Sequence, residues 1–161
     1  EKVYGSRSYF EGITQQKLVK GAILPILPIQ KDSSNNFSRV RVSEKHFTTM
    51  YLPCFKGPEF SKLNKEQQRK LFIPFSISDD NNRVGYRLKE SLENNLSSIL
   101  TSAVLPGTVQ LTPSGKCIIL MQDCQVTGGY PRILQLSEIA IARVSQKITG
   151  DKIQFVLEDH L

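Results

Sequence analysis

Turn-forming residues divide the second half of this chain into segments that are too short for long helices. Glycine, proline and asparagine separate the apolar stretches "NRVGYRLK" (82–89), "GTVQLT" (107–112), "KCIILMQ" (116–122), "CQVT" (124–127) and "KIQFVLE" (152–158). Short apolar segments with such boundaries are typical of β-strands. The pattern predicts a mainly β barrel or sandwich with two helices covering its openings.

Both helices and one hairpin have local signals. Asn64 with Gln67 three residues later forms a capping-box pattern ahead of "KEQQRKLF", and Pro74 ends that helix. A second helix is predicted from Ser137 to Ser145. In "GTVQLTPSGKCIILM" the residues "PSGK" (113–116) supply a hairpin turn between two strands.

Composition limits what the chain can be. Its 161 residues, 39% of them hydrophobic, suffice for one ordinary domain. No apolar run reaches the ~18 residues of a membrane span, so we expect no membrane partner. The chain starts at Glu1 without a secretion signal, which suggests that it begins inside a longer protein. The polar stretch "QKDSSNNFS" (30–38) is the expected boundary between subregions.

Several function classes lack the residues they need. The net charge of +6 comes from scattered Lys and Arg, which argues against nucleic-acid binding. The two histidines, His46 and His160, cannot build a Ser-His-Asp relay or a multi-histidine metal site. No phosphate-binding glycine motif occurs, so another polypeptide would have to bind any ATP.

The three cysteines are an odd number without CxxC spacing, which fits a reducing cytoplasm. Cys117 and Cys124 flank an apolar run, where we expect them to be small buried hydrophobic residues.

Strand alternation in "RVGYR" would place Arg83, Gly85 and Arg87 on one face and turn Val84 and Tyr86 to the other. Two guanidiniums beside a glycine could clamp a carboxylate or carbonyl. The alternative is that both arginines are solvated or paired on the outer face of a sheet.

The stretch "MQDCQVTGGYPRI" (121–133) also has two interpretations: it is either one wall of a ligand pocket or only a tight turn between two strands. Alternation would place Asp123, Gln125 and Thr127 on one face, with Cys124 and Val126 directed to the core. The two glycines that follow could adopt positive φ and leave backbone N–H groups open to a ligand. A polar strand end with a glycine hairpin explains the same letters.

Together these segments resemble a known family. "NRVGYRL", "LPGTVQLTPSGK" and "IILMQDCQVTGGYPRI" look like the motifs of allophanate hydrolase subunit 2 and of the biotin-dependent carboxyltransferase domain of urea carboxylase. The same family includes the C subunit of the bacterial ATP-dependent 5-oxoprolinase. "YGSRS" and "KGPEF" extend the match over most of the chain.

The resemblance implies a fold of two cyclophilin-like β-barrel halves. Residues 1–30 would be the tail of the first half, and residues 31–161 the second barrel with its two short covering helices. Carried over residue by residue, the expected site has three catalytic and eight substrate-binding candidates. The catalytic candidates are Asp123, Arg83 and Arg87, and the substrate-binding candidates are Tyr86, Gln110, Ser114, Gln125, Thr127, Gly128, Gly129 and Tyr130.

The function implied is that of a fragment of a 5-oxoprolinase subunit, which opens a cyclic amide with ATP bound by a partner. The partners would be a protein like the B subunit of that enzyme and a lactam-utilisation-like protein, and this chain itself would bind neither cofactor nor metal. One alternative is a carboxyltransferase domain that uses biotin to carboxylate urea or a similar amide.

A third interpretation is a non-catalytic regulatory binding module. It is motivated by departures from the family motif: Val84 stands for Met, Val126 for Thr, and Cys124 for Arg. The change at Cys124 removes a charge beside Asp123, and we expect it to weaken a supporting ion pair.

Overall fold

The computed structural model describes residues 20, 21, 23 and 45–158, except the side chain of residue 46. Residues 45–158 belong to one unit of the chain, Arg41–Leu161. The expected domain boundary between residues 30 and 31 lies outside the described residues and stays a prediction.

Strands dominate this unit. In chain order its elements are α1 (Lys45–Thr48), β1 (Tyr51–Lys56), a 3₁₀ turn (Phe60–Lys62), α2 (Lys65–Leu71), β2 (Phe75–Asn81), β3 (Gly85–Ser91), β4 (Ser102–Ala103), β5 (Thr108–Leu111), β6 (Lys116–Leu120), β7 (Thr127–Gly128), β8 (Arg132–Leu136), α3 (Glu138–Val144) and β9 (Lys152–Leu157).

Seven of these strands form a closed barrel in the order β1-β8-β5-β6-β3-β2-β9, which confirms the predicted fold class. Each pair of neighbours is antiparallel except β1 and β9, whose parallel pairing closes the barrel. Closure leaves none of the seven strands with an unpaired edge. The short strands β4 and β7 pair outside the barrel.

The core lies inside the barrel, and its buried residues alternate along β1 and β9, whereas all four residues of β5 are buried. Cys54 and Cys117 are fully buried in this core, and burial raises the pKa of both thiols to about 12. Both therefore behave as small hydrophobic residues, as expected for Cys117.

The helix and hairpin signals are also confirmed. In α2 the backbone N–H of Gln67 donates to Asn64 Oδ1 at 2.9 Å, and the Asn64 N–H donates to Gln67 Oε1 at 2.8 Å. Helix α3 begins after Ser137, whose side chain accepts a hydrogen bond from the Ala140 N–H. Strands β5 and β6 form the predicted hairpin, and Gly115 has the positive φ of 85° that its turn requires.

One expectation of strand alternation is wrong. Val126, expected in the core, is 79% exposed. The reason is local: Met121 to Cys124 forms a turn in which the Cys124 N–H donates to the Met121 carbonyl at 3.1 Å. Side chains alternate between faces only where the backbone is extended.

The expected burial of Cys124 and the expected backbone conformation of the two glycines also differ from the structure. Cys124 is half-buried instead of lying in the core. Gly128 lies in β7, and neither it nor Gly129 has a positive φ. Positive φ therefore does not explain either glycine.

A buried ion pair joins β8 to the segment after β1. The Glu59 carboxylate accepts hydrogen bonds from Nε and Nη2 of Arg132 and from its backbone N–H, all between 2.9 and 3.0 Å. Only 11% of the Glu59 side chain and 19% of the Arg132 side chain is exposed. The Arg132 hydrogen bonds hold the pKa of Glu59 below its usual value.

Gly57 permits this close approach. Its N–H donates to the Ile133 carbonyl at 2.9 Å, and a Cβ at position 57 would lie 2.3 Å from the Arg132 carbonyl oxygen. Two backbones meet there, so the clash cannot be relieved by turning a flexible side chain.

We therefore expect Gly57→Ala to lower the free energy of unfolding by about 1–3 kcal/mol, the usual cost of overpacking. Urea denaturation followed by circular dichroism measures it. The control is Gly129→Ala, where the added Cβ meets only the Ile99 carbonyl oxygen at 3.5 Å. That change should alter the free energy by less than about 1 kcal/mol. Equal stability of wild type and Gly57→Ala would contradict the packing constraint.

Candidate functional site

A cleft of about 280 Å³ opens on the face of the barrel made by β3, β5 and β6. Residues from all three family-like segments line it. They include Val84, Gly85 and Arg87 from the first segment, Gln110 from the hairpin, and Gln125 and Tyr130 from the segment after β6. The structure thus brings together residues that are far apart in sequence, including four of the eleven site candidates.

Gln110 is the buried polar side chain of the cleft. It is 1% exposed, and its Nε2 donates to the Tyr130 carbonyl oxygen at a long 3.4 Å. A side-chain amide offers two N–H donors and an acceptor oxygen. Among the described residues no other partner is seen for this amide, so it keeps hydrogen-bonding capacity at the cleft.

Gly128 is explained by contact with this glutamine. A Cβ at position 128 would lie 2.6 Å from Gln110 Nε2. The glycine therefore makes room for the amide beside the cleft. Glycine is needed at position 128 because any larger side chain would clash with the Gln110 amide, and not because the backbone has a positive φ.

Arg87 brings the positive charge of the cleft lining. Its Nη1 donates to the Asp80 carboxylate, and the pair lies at the surface with about half of each side chain exposed. A guanidinium has five N–H donors. Because the Asp80 contact uses one of them, an anion in the cleft could still bind the remaining donors.

Arg83 and Asp123 do not line the cleft; they bind each other beside it. Nε of Arg83 donates to Asp123 Oδ2 at 2.6 Å, and Nη2 donates to Oδ1 at 3.0 Å. Two backbone bonds reinforce the contact: the N–H of Asp123 donates to the Arg83 carbonyl, and that of Met121 to the Val84 carbonyl, each at 3.0 Å. The pair therefore fixes the turn that follows β6 against the start of β3.

Pairing changes the chemistry that this carboxylate can perform. Hydrogen bonds from the Arg83 guanidinium lower the pKa of Asp123, and the same contact raises the pKa of Arg83. A carboxylate with a lowered pKa is a weaker base. The arrangement suits Asp123 for positioning the turn better than for removing a proton.

The two arginines of the first segment consequently do not form a clamp with each other. Each has its own acidic partner, Asp123 for Arg83 and Asp80 for Arg87. This agrees with the alternative in which the arginines are paired on the surface, although Arg87 also borders the cleft.

Other candidates lie away from the cleft lining. Tyr86 is partly buried and packs against the core. Ser114 lies in the hairpin turn, where its hydroxyl contacts the Thr112 hydroxyl at 2.9 Å, and it borders a separate polar groove with Asn94. Thr127 and Gly129 belong to the β7 region without lining the cleft.

Sequence reasoning missed Asn82 as a cleft residue. Its Oδ1 accepts hydrogen bonds from the N–H groups of Val84 and Gly85, at 2.8 and 3.2 Å, and shapes the turn into β3. Asparagine shortly before a glycine is a turn signal that could have identified it. Glu59 was also missed, and no local pattern signals its pairing with Arg132, 73 positions away.

Cys124 lies on the turn next to Asp123. Its partial burial raises the pKa of the thiol, which disfavours a reactive thiolate.

Within residues 45–158 there is no group of three or more His, Cys, Asp and Glu side chains placed to hold a metal ion. In the same part of the chain, no helix has the length and apolar character needed to cross a membrane.

Comparison with known proteins agrees with the resemblance noted in the sequence. The C subunit of 5-oxoprolinase from Escherichia coli (strain K12) is 36% identical over 133 residues, covering 81% of this chain and 43% of that protein. The C subunit of 5-oxoprolinase from Haemophilus influenzae is 36% identical over 88 residues, covering 50% of this chain and 27% of that protein. This chain therefore spans less than half the length of either relative.

A solved structure shows the same fold. The crystal structure of the K. lactis urea amidolyase superposes with a TM-score of 0.61 at 22% identity, covering 68% of this chain and 7% of that one. The family model described as carboxyltransferase domain, subdomain A and B, matches residues 1–157. This chain belongs to the family of the carboxyltransferase domain, subdomain A and B.

Proposed function

We propose that this chain is part of a subunit of a 5-oxoprolinase assembly and that its cleft binds the small cyclic amide. The observation that carries the proposal is the cleft itself, in which the buried amide of Gln110 lies on the same face as the guanidinium of Arg87. The names of the two 36%-identical relatives support the same assignment.

Gln110 suits recognition of a lactam. A lactam presents one N–H donor and one carbonyl acceptor side by side, and the side chain of glutamine presents the complementary acceptor and donor. Burial makes such hydrogen bonds selective, because a ligand without them would leave the Gln110 amide unpaired. Gln125 and Tyr130 add polar groups at the exposed side of the cleft.

Arg87 suits the carboxylate of 5-oxoproline. Charge-assisted hydrogen bonds to a carboxylate favour a guanidinium with free donors. Asp80 would hold one side of the guanidinium in place while the substrate binds the other. In ring opening, water adds to the lactam carbonyl, the C–N bond breaks, and the nitrogen gains a proton. Donors near the carbonyl oxygen would stabilise its developing negative charge.

The remaining requirements fall to partner chains. We propose that ATP binds a partner, and that a protein like the B subunit of 5-oxoprolinase and a lactam-utilisation-like protein complete the enzyme in the cytoplasm. Arg83 and Asp123 would act by positioning the turn after β6, since they contact each other instead of the cleft.

Carboxyl transfer from biotin to urea or a similar amide is the second candidate function. The matching family model and the urea amidolyase fold favour it. Gln110 would bind a linear amide in the same way. The two candidate functions differ in their need for biotin. Avidin, which binds biotin, should stop carboxyl transfer and leave ring opening of 5-oxoproline unaffected.

The proposed function predicts activity in the complete assembly. The whole protein that contains this chain, mixed with its two partner proteins, should release glutamate from 5-oxoproline when ATP is present. Amino-acid analysis with and without ATP measures this. Omitting each protein in turn is the control, and no glutamate from the complete mixture would disprove the proposal.

Gln110→Met keeps the size of the side chain and removes its hydrogen bonds. We expect KM for 5-oxoproline to rise on the order of tenfold, which corresponds to about 1.4 kcal/mol of lost binding. The matched control is Gln122→Met, because Gln122 is exposed and does not line the cleft. An unchanged KM in the Gln110 variant, with normal folding by circular dichroism, would remove Gln110 from the site.

Arg87→Met tests recognition of the carboxylate. Wild type should bind 5-oxoproline more tightly than 2-pyrrolidone, the lactam that lacks the carboxylate, by at least about tenfold. The variant should lose most of this preference while its affinity for 2-pyrrolidone stays similar. Calorimetric titration of the assembly with both lactams measures it. If the variant still prefers 5-oxoproline over 2-pyrrolidone, a residue other than Arg87 binds the carboxylate of 5-oxoproline.

A further inference from the structure

A second groove lies on the side of the barrel where β1 and β9 meet, and we name it the basic groove. Its volume is about 380 Å³. The side chains that matter are three cations, Lys56, Lys65 and Arg69, around the apolar residues Phe60, Phe72 and Leu157. No carboxylate is among the described residues that line it.

The cations of the basic groove lack acidic partners among the described residues. The ion pairs of this part of the chain involve other groups, such as Lys70 with Glu66 at 2.8 Å on the same helix. Lys65 and Arg69 are four residues apart in α2, so two like charges share one face of the helix, a mildly unfavourable arrangement. An anion bound between them would relieve this repulsion.

The floor of the groove is aromatic. The rings of Phe60 and Phe72 lie with their centroids 6.3 Å apart, and Lys56 Nζ is 5.5 Å from the centroid of Phe60. Phe72 is only partly buried. Such a surface binds an apolar side chain by removing it from water, while the surrounding cations attract acidic residues beside it.

The position of the basic groove keeps it separate from the cleft. In the barrel order, β8 lies between β1 and β5, and β2 lies between β9 and β3. A chain bound at the basic groove would therefore leave the cleft on β3, β5 and β6 open to small molecules.

We infer that the basic groove docks an acidic segment of a partner protein that packs one aromatic or aliphatic side chain against the partly buried Phe72 and Leu157. Charge complementarity carries the inference: three cations without acidic partners in the described part of the chain favour an acidic ligand, and the apolar floor favours an apolar side chain beside the acidic groups, which a phosphate alone would not supply. The inference does not depend on the reaction that takes place in the cleft.

The test uses the whole protein and a fluorescent peptide with several glutamates on either side of one phenylalanine. Fluorescence anisotropy should show saturable binding at physiological salt, and a peptide with serine in place of the phenylalanine should bind at least about tenfold more weakly. Binding of the phenylalanine peptide should also weaken as salt is raised. Equal binding of the two peptides, or no binding of either, would overturn the inference.

Charge reversal locates the site. Lys65→Glu combined with Arg69→Glu should weaken binding at least about tenfold, and Lys56→Glu alone should weaken it in the same direction. The matched control is Lys89→Glu combined with Lys152→Glu, two exposed lysines outside the groove. Thermal unfolding shows whether each variant is folded. Equal losses in the groove and control variants would mean that only net charge matters and would overturn the inference. So would displacement of the peptide by pyrophosphate at equal concentration.

Discussion

The ion pair between Glu59 and Arg132 is the contact on which the arrangement of the candidate site depends. It joins the segment after β1 to the start of β8, and Arg132 Nη1 also donates to the Ala103 carbonyl in β4 at 3.0 Å. Because β4 pairs with β7, one guanidinium connects the elements on both sides of the Tyr130 turn. Removing either partner would leave a largely buried charge without compensation, a loss that typically costs about 3 kcal/mol or more.

Local signals predicted the fold better than they predicted the site. The Asn64 capping box and the "PSGK" turn depend on residues within a few positions of each other, so sequence alone specifies them. The Glu59 pair depends on where the barrel brings two distant segments together, which no short pattern encodes. For Val126 the local pattern itself is misleading. Strand alternation predicts that this side chain is buried, but a turn interrupts the extended backbone just before it and the side chain is exposed.

The candidate site shows the same distinction. Resemblance to family motifs selected Arg87, Gln110, Gln125 and Tyr130, and the barrel brings these four to one cleft. Ser114 belongs to the same hairpin motif as Gln110, yet it lies in the turn beyond the strand ends and borders another groove. A motif can be preserved as a unit because its hairpin must fold, so membership of the motif does not by itself place a residue in a pocket.

The structure also changes the meaning of Cys124. An arginine at this position, as in the family motif, was expected to support Asp123 through an ion pair. Asp123 already has a bidentate partner in Arg83, and backbone bonds hold the same two segments together. Loss of a second arginine therefore leaves the Asp123 carboxylate neutralised and the turn fixed. Cys124 alone is consequently weak evidence for a non-catalytic copy, and the polar groups of the cleft, which do not include it, are the better guide to function.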